Sequence, residues 1–332
     1  AARGSGGIRG GLSMQPYALD FAEDVEINGS RQNIRIRSRS LALPALLFLH
    51  GGPGVTDRHL VLKSCEQLTK SCTLVCWDQR GCGKSFTPAS LGEHFDIDTF
   101  VEDARQVTEY VCTRLGKRQI YIVGHSWGSI LGVLLAQRHP ERIAGYIGMG
   151  QFCQGVENEL LSYEFVLAEA ERLGDRRAVE KLRGIGAPVE GRYRTKQDMR
   201  IQRDYLTRCG GGNWQKREGI VQSILMPLVK TPEYRLSELP GMVKGLLHSQ
   251  EELVDEVVAL DFFRDVPELK VPVILTEGRH DQNTPASIAR RWYDGLRAPK
   301  KQWIWFENSA HSPIHEEPER WCEEVRAALF GA

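Results

Sequence analysis

A serine stands between two glycines, Gly124-His125-Ser126-Trp127-Gly128, where one apolar run, Ile120–Val123, ends and another, Ile130–Ala136, begins. The spacing predicts a strand, a sharp turn and a helix. That order constrains the chain because a serine hydroxyl is a poor nucleophile unless the backbone aims it and a neighbouring base takes its proton. A turn this tight strains Ser126, and side chains two residues either way would collide with it. Glycine at both places removes the collision. Five common residue types in this order also arise by chance. The motif therefore gains force only if the rest of the chain supplies a base, an acid and an oxyanion hole.

The flanking pattern supplies a matching frame. Two strand-like pieces, Glu23–Ile27 and Asn33–Arg37, are split by Asn28-Gly29, a hairpin signal. Short unbroken apolar strands then alternate with helices: Ala45–Leu49, a helix over Arg58–Thr69, Cys72–Trp77, an amphipathic helix over Ile97–Leu115, Ile120–Val123, a helix over Trp127–Gln137, and Ile143–Met149. Strands apolar along their whole length, separated by helices, imply a mostly parallel sheet with helices on both faces, an α/β fold. From residue 151 to 265 the rhythm is helical and charged, with no strand, and with Gly-rich interruptions at Gly184-Ile185-Gly186 and Gly210-Gly211-Gly212. Alternation resumes with Val271–Thr276, a helix over Pro285–Leu296, Gln302–Phe306 and a last helix over Glu317–Phe330. The expected organisation is a core domain made of residues 12–150 and 266–332, interrupted by an inserted helical domain at 151–265. Residues 1–11, rich in Gly, Ala and Arg, read as a disordered leader or tag remnant.

Composition narrows the partners. The chain has 332 residues, with 43 Lys and Arg balancing 43 Asp and Glu, so no global field favours nucleic acid or an anionic membrane. No apolar run reaches bilayer length. The eight cysteines contain no Cys-x-x-Cys pair and lie mostly in apolar stretches, which fits small buried hydrophobes in a reducing, cytoplasmic setting. The expected partner is a small molecule or short peptide, with no nucleic acid and no membrane.

The remaining catalytic parts fall at C-terminal ends of later strands, which share one edge of such a sheet. After Val271–Thr276 comes Gly278-Arg279-His280-Asp281, and after Gln302–Phe306 comes Glu307-Asn308-Ser309-Ala310-His311. The order Ser126, Asp281, His311 is that of nucleophile, acid and base in a hydrolytic triad. Each member has a plainer reading: an Asp before Thr-Pro is also a turn former, and His280 and His315 compete with His311. His315 is expected at the surface. His311 and His315 are four apart, but Pro313 between them spoils helical metal-ligand geometry, so no metal is expected. His50-Gly51-Gly52-Pro53-Gly54, directly after Ala45–Leu49, provides an oxyanion loop whose donors are assigned to the amides of Gly52 and Trp127. Gly83-Lys84-Ser85 resembles the tail of a phosphate loop, but Asp78 stands where its first glycine belongs. Nucleotide binding is rejected, and Asp78 and Arg80 are expected to pin a loop beside the elbow. No cofactor is expected.

Together, His-Gly-Gly-Pro-Gly, Asp-Gln-Arg-Gly-x-Gly-x-Ser at 78–85 and Gly-His-Ser-Trp-Gly resemble the α/β-hydrolase superfamily, and more narrowly its proline iminopeptidase branch of serine peptidases. The resemblance implies an α/β-hydrolase fold with the insertion as a helical cap, and Ser126, Asp281 and His311 as the triad. Members of that branch release an N-terminal residue, often proline, from short peptides, and related hydrolases cleave other amides, esters or lactones. In the iminopeptidases a Trp-x-x-Trp-Glu string opens the cap, with glutamates that bind the substrate's amine. Here the segment reads Gln151-Phe152-Cys153-Gln154-Gly155-Val156-Glu157-Asn158-Glu159. The candidate substrate contacts are Gly51, Phe152, Cys153, Glu157 and Glu159, although carboxylates on a charged helix are also consistent with a solvated face. The expected function is a cofactor-independent serine hydrolase, proline-iminopeptidase-like. The alternatives are a carboxylesterase or lactonase, and a non-catalytic ligand-binding homologue. A dehalogenase or epoxide hydrolase would require an aspartate where Ser126 stands.

Overall fold

The Asn28-Gly29 pair turns the chain with both residues at positive φ, 48° and 71°, and closes a hairpin between β1 (Leu19–Ile27) and β2 (Ser30–Ser38). The computed structural model describes residues 17–218, 222 and 226–331, so the 1–11 leader lies outside the described residues. Beyond the hairpin come β3 (Ala45–Leu49), α1 (Arg58–Ser64), β4 (Thr73–Asp78), α2 (Ile97–Leu115), β5 (Ile120–His125), α3 (Trp127–Arg138) and β6 (Ile143–Met149). The helices α4 (Gly155–Arg172), α5 (Arg176–Ile185), α6 (Lys196–Arg208), α7 (Met226–Val229), α8 (Leu239–Ala259) and α9 (Phe262–Asp265) follow. The chain then returns to the sheet with β7 (Val273–Gly278), α10 (Ala286–Gly295), β8 (Lys301–Phe306), α11 (Pro313–Glu316) and α12 (Pro318–Phe330).

The eight strands among the described residues form one sheet in the order β1-β2-β4-β3-β5-β6-β7-β8. β3 through β8 run parallel, and β2 and β1 extend the sheet at one edge by antiparallel pairing. This is the α/β-hydrolase architecture. After β3 the chain steps outward to β4 and then returns to place β5 on the other side of β3. Order therefore reverses between β3 and β5, and a crevice opens at their C-terminal ends. Those ends carry His50 and Ser126.

Alternation along each strand splits the core into two layers. Leu47, Leu49, Val75, Trp77 and Ile122 pack under α2, α3 and α10, while Leu46, Phe48, Leu74, Cys76 and Val123 pack under α1 and α12. All residues from Trp127 to Ala136 are buried, so α3 has no solvent face and behaves as a core helix. The helices between β6 and β7 hold a core of their own, including Tyr163, Val166, Leu182 and Leu206.

Of the boundaries that differ from the sequence expectation, two have a direct physical reason, while β1 and β2 are longer than expected at Leu19–Ile27 and Ser30–Ser38. The helix expected over 58–69 ends at Ser64 and tightens into a 3₁₀ turn over Glu66–Lys70. Three residues per turn keep both Cys65 and Leu68 against the sheet, where both are buried. β7 begins at Val273 rather than Val271, because Pro272 has no N–H for the ladder.

Candidate active site

Ser126 adopts φ 54° and ψ −119°, a conformation that costs a non-glycine residue about 1–3 kcal/mol. The turn is clamped on both sides. Its amide donates to the Met149 carbonyl at 3.0 Å, and its carbonyl accepts from the Ser129 amide at 2.8 Å. A Cβ at Gly128 would stand 1.9 Å from the Leu49 carbonyl oxygen, and one at Gly124 would stand 2.5 Å from the Gly128 oxygen. The close approach of β5, α3 and β3 thus requires glycine at both positions.

His311 and Asp281 meet at the same edge. His311 Nδ1 lies 2.9 Å from Asp281 Oδ2. Asp281 is fully buried; its Oδ1 accepts from the amides of Asn283 (2.8 Å) and Thr284 (3.0 Å), and its Oδ2 accepts from Thr284 Oγ1 (2.9 Å). A carboxylate saturated in this way fixes the proton on His311 Nδ1 and leaves Nε2 as the basic nitrogen. Nε2 is buried and has no hydrogen-bond partner among the described residues. The ring rests on Gly150, where a Cβ would come within 2.8 Å of it, one residue beyond the carbonyl that holds Ser126. Gly51 lies against the other side of the serine: a Cβ there would stand 3.3 Å from Ser126 Cβ.

The 50–54 loop is anchored by a neutral histidine. Burial pushes the His50 imidazole below its ordinary value. Its Nε2 accepts from the Gln79 amide at 3.1 Å, so its proton sits on Nδ1, 2.8 Å from the Gly51 carbonyl. Gln79 also donates to the His50 carbonyl (3.0 Å) and accepts from the Trp127 indole (2.8 Å). One glutamine therefore ties the loop after β3 to the first residue of α3. The Trp127 amide is the first N–H of that helix, where no intrahelical acceptor exists.

The residues flanking Gln79 pin the loop from below. Asp78 is buried against Arg58 at 2.9 Å, and Arg80 reaches Asp103 (2.8 Å) and Glu93 (2.9 Å). Cys82 and Cys153 are buried, and burial pushes both thiols well up, which leaves them poor nucleophiles. An apolar cleft of about 440 Å³ opens beside the 50–54 loop, lined by Gly54, Val55, Leu239, Met242, Val243 and Leu246.

Other candidate residues lie elsewhere. Phe152 and Cys153 are buried in the sheet's core layer, and the Phe152 amide donates to Ser129 Oγ. Glu157 pairs with Arg291 at 2.5 Å on the exterior, and Glu159 on α4 pairs with Arg203 on α6. The His280 ring stacks on Trp214 with centroids 3.5 Å apart. His315, expected at the surface, is half-buried. It lies against Ser64, and burial pushes it down to about 4, because α11 folds back onto α1.

Two acids were not anticipated from the sequence. Glu277, at the end of β7, is fully buried with one oxygen 3.0 Å from the Gln151 amide and the other without a partner among the described residues. Burial, reinforced by the Asp281 charge, pushes it well above the carboxylate range. Glu316 is buried beside the His311 loop. A glutamate inside an otherwise apolar strand run was the available signal for the first; the second gave none.

Comparison with known proteins agrees with this fold. A family description of the alpha/beta hydrolase fold matches residues 44–185. The probable aminopeptidase YbaC of Bacillus subtilis (strain 168) is 34% identical over 305 residues, 91% of this chain and 93% of that one. A proline iminopeptidase of Heyndrickxia coagulans is 24% identical over 91% of this chain and 96% of its own length. Among solved structures, VinJ superposes with a TM-score of 0.62 at 20% identity, covering 95% of this chain and 99% of that one. With that identity to an aminopeptidase relative over nearly its whole length, the chain belongs to the α/β-hydrolase superfamily, in its proline iminopeptidase branch.

Proposed function

We propose that this hydrolase works through an acyl-enzyme on Ser126, releasing the N-terminal residue of short peptides. The observation that carries the reading is the His311 ring. Its Nδ1 is fixed by Asp281, its Nε2 has no partner among the described residues, and the ring lies against Gly150, next to the residue whose carbonyl holds the elbow serine. Ser126 Oγ attacks the substrate carbonyl while His311 Nε2 takes its proton. Asp281 holds the tautomer and stabilises the imidazolium. The amides of Gly52 and Trp127 receive the oxyanion, aided by the positive end of α3. Collapse of the tetrahedral intermediate expels the amine, which takes the proton from His311. Water then attacks the acyl-enzyme by the same route. Serine–histidine contacts are often loose before substrate arrives, so an unpaired Nε2 fits this role. Residues 151–265 act as a cap over the edge that carries these groups, and the apolar cleft beside the 50–54 loop suits a small apolar substrate group.

One observation favours a second reading, hydrolysis of small esters or lactones: Glu157 and Glu159 are each neutralised by an arginine, so neither offers an uncompensated charge to a substrate ammonium. Two assays run side by side, a proline anilide and a short acyl ester, separate the readings. The first proposal expects the anilide to be preferred by kcat/KM. Ser126→Ala is expected to lose fluorophosphonate labelling and to lower turnover by about 10⁴-fold or more. Labelling that persists in that variant overturns the mechanism, and a wild type inert toward both substrates favours a non-catalytic binder.

A further inference from the structure

Gly210-Gly211-Gly212 and the residues after it leave α6 and cross both loops that carry Asp281 and His311. The Gly211 carbonyl accepts from the Gln282 amide at 3.0 Å, and the Gly212 carbonyl accepts from the His311 amide at 3.4 Å. The Trp214 ring lies flat on His280 at 3.5 Å, and the Arg217 guanidinium lies 4.8 Å from the centre of the same indole. Gln215 Nε2 donates to the Glu316 carbonyl at 2.7 Å.

At the centre of this crossing is the Glu316 carboxylate. Its Oε1 accepts from the amides of Ala310 (2.9 Å) and Ser312 (3.4 Å), the residues on either side of His311. Its Oε2 accepts from the amides of Trp214 (2.7 Å) and Gln215 (3.4 Å), on the segment after α6. Each oxygen serves a different part of the chain. The side chain is 7% exposed, too buried for water to replace these bonds freely.

We propose that Glu316 is a positioning residue that locks the 211–215 segment onto the His311 loop, so that seating the helical region between β6 and β7 and aiming His311 at Ser126 are one event. This rests on the serine-hydrolase reading above. The division of labour between the two oxygens makes the proposal specific. Glutamine has the same size but only one acceptor; whichever way it turns, its amide group faces two backbone N–H donors. Aspartate is one methylene shorter yet keeps two acceptors. A packing role would favour Gln over Asp, whereas a clasp favours Asp over Gln.

The test is steady-state kinetics on Glu316→Gln and Glu316→Asp, with the rate of fluorophosphonate labelling at Ser126 measured in parallel. Glu316→Gln is expected to lower kcat and the labelling rate together by about 10- to 100-fold with KM changed less than about threefold, as a displaced base does. Glu316→Asp is expected to retain more of both. A Gln variant that labels and turns over within twofold of wild type overturns the clasp, as does an Asp variant worse than Gln. If the Gln variant does not fold, Gln215→Ala, at an exposed position, decides the matter: a severalfold loss of kcat at unchanged melting temperature supports the proposal, and unchanged kcat overturns it. A wild type that does not label at Ser126 sinks the hydrolase reading instead, so the two failures are distinguishable.

Discussion

At the scale of single residues, Glu277 lies within reach of the Asp281 charge as a carboxyl with no counter-ion among the described residues. Burial and the neighbouring Asp281 charge both favour its protonated form, so its folded-state value lies well above the ordinary carboxylate range. The unfolded chain gives up the same proton near pH 4.3, on the order of an unperturbed glutamate. Between those two values the folded state binds more protons, and stability falls as pH rises, by up to about 1.4 kcal/mol per pH unit. Glu277→Gln keeps the shape and removes the titration. Its melting temperature is therefore expected to match wild type near pH 4 and to gain on it progressively toward pH 8. Thermal unfolding across that range checks this, and a pH-independent difference would count against a buried neutral acid.

At the scale of elements, the elbow joins three pieces of chain, β3, β5 and α3, with no room between them. Gly128→Ala pushes a methyl group to 1.9 Å from the Leu49 carbonyl oxygen, a backbone atom that cannot rotate away. The expected result is a loss of about 3 kcal/mol in urea unfolding, the upper end for overpacking, together with a loss of turnover as α3 moves off the 50–54 loop. A variant as stable and active as wild type would mean that β3 and α3 separate more easily than the packing implies. These elements were legible in sequence because each is announced locally. Asn28-Gly29 marks the hairpin, glycines bracket the serine, and unbroken apolar runs mark strands buried on both faces. The exceptions were equally physical. The helix after Arg58 tightened to keep Cys65 and Leu68 inward, and Pro272 delayed β7 because it has no amide for the ladder.

At the scale of the whole molecule, Tyr234 joins the helical region between β6 and β7 to the sheet across 156 positions of sequence. Its hydroxyl donates to Asp78 Oδ1 at 3.0 Å and lies 2.6 Å from Thr56 Oγ1, next to the buried Arg58–Asp78 pair. Tyr234→Phe removes a hydrogen bond to a buried charge without changing the ring. The expected cost is about 2 kcal/mol of stability by urea unfolding, and no loss would show that Thr56 and Arg58 suffice to satisfy Asp78. Among the described residues no helix is long and apolar enough to cross a membrane.

The sequence alone determined the strand–helix alternation, the strained serine and the loops that bring Asp281 and His311 to one edge, because each depends on residues within a few positions of one another. Tertiary structure decided what stands around them. Gln79 bridging the 50–54 loop to α3, Glu277 held without a counter-ion among the described residues, Arg291 and Arg203 taking up Glu157 and Glu159, and Glu316 serving two distant segments all arise from contacts between remote parts of the chain. A carboxylate's role is set by what lies within a few ångströms of it, and only the fold fixes that neighbourhood. The elbow that carries Ser126 was therefore readable from five consecutive residues, whereas the charged partners around it were not.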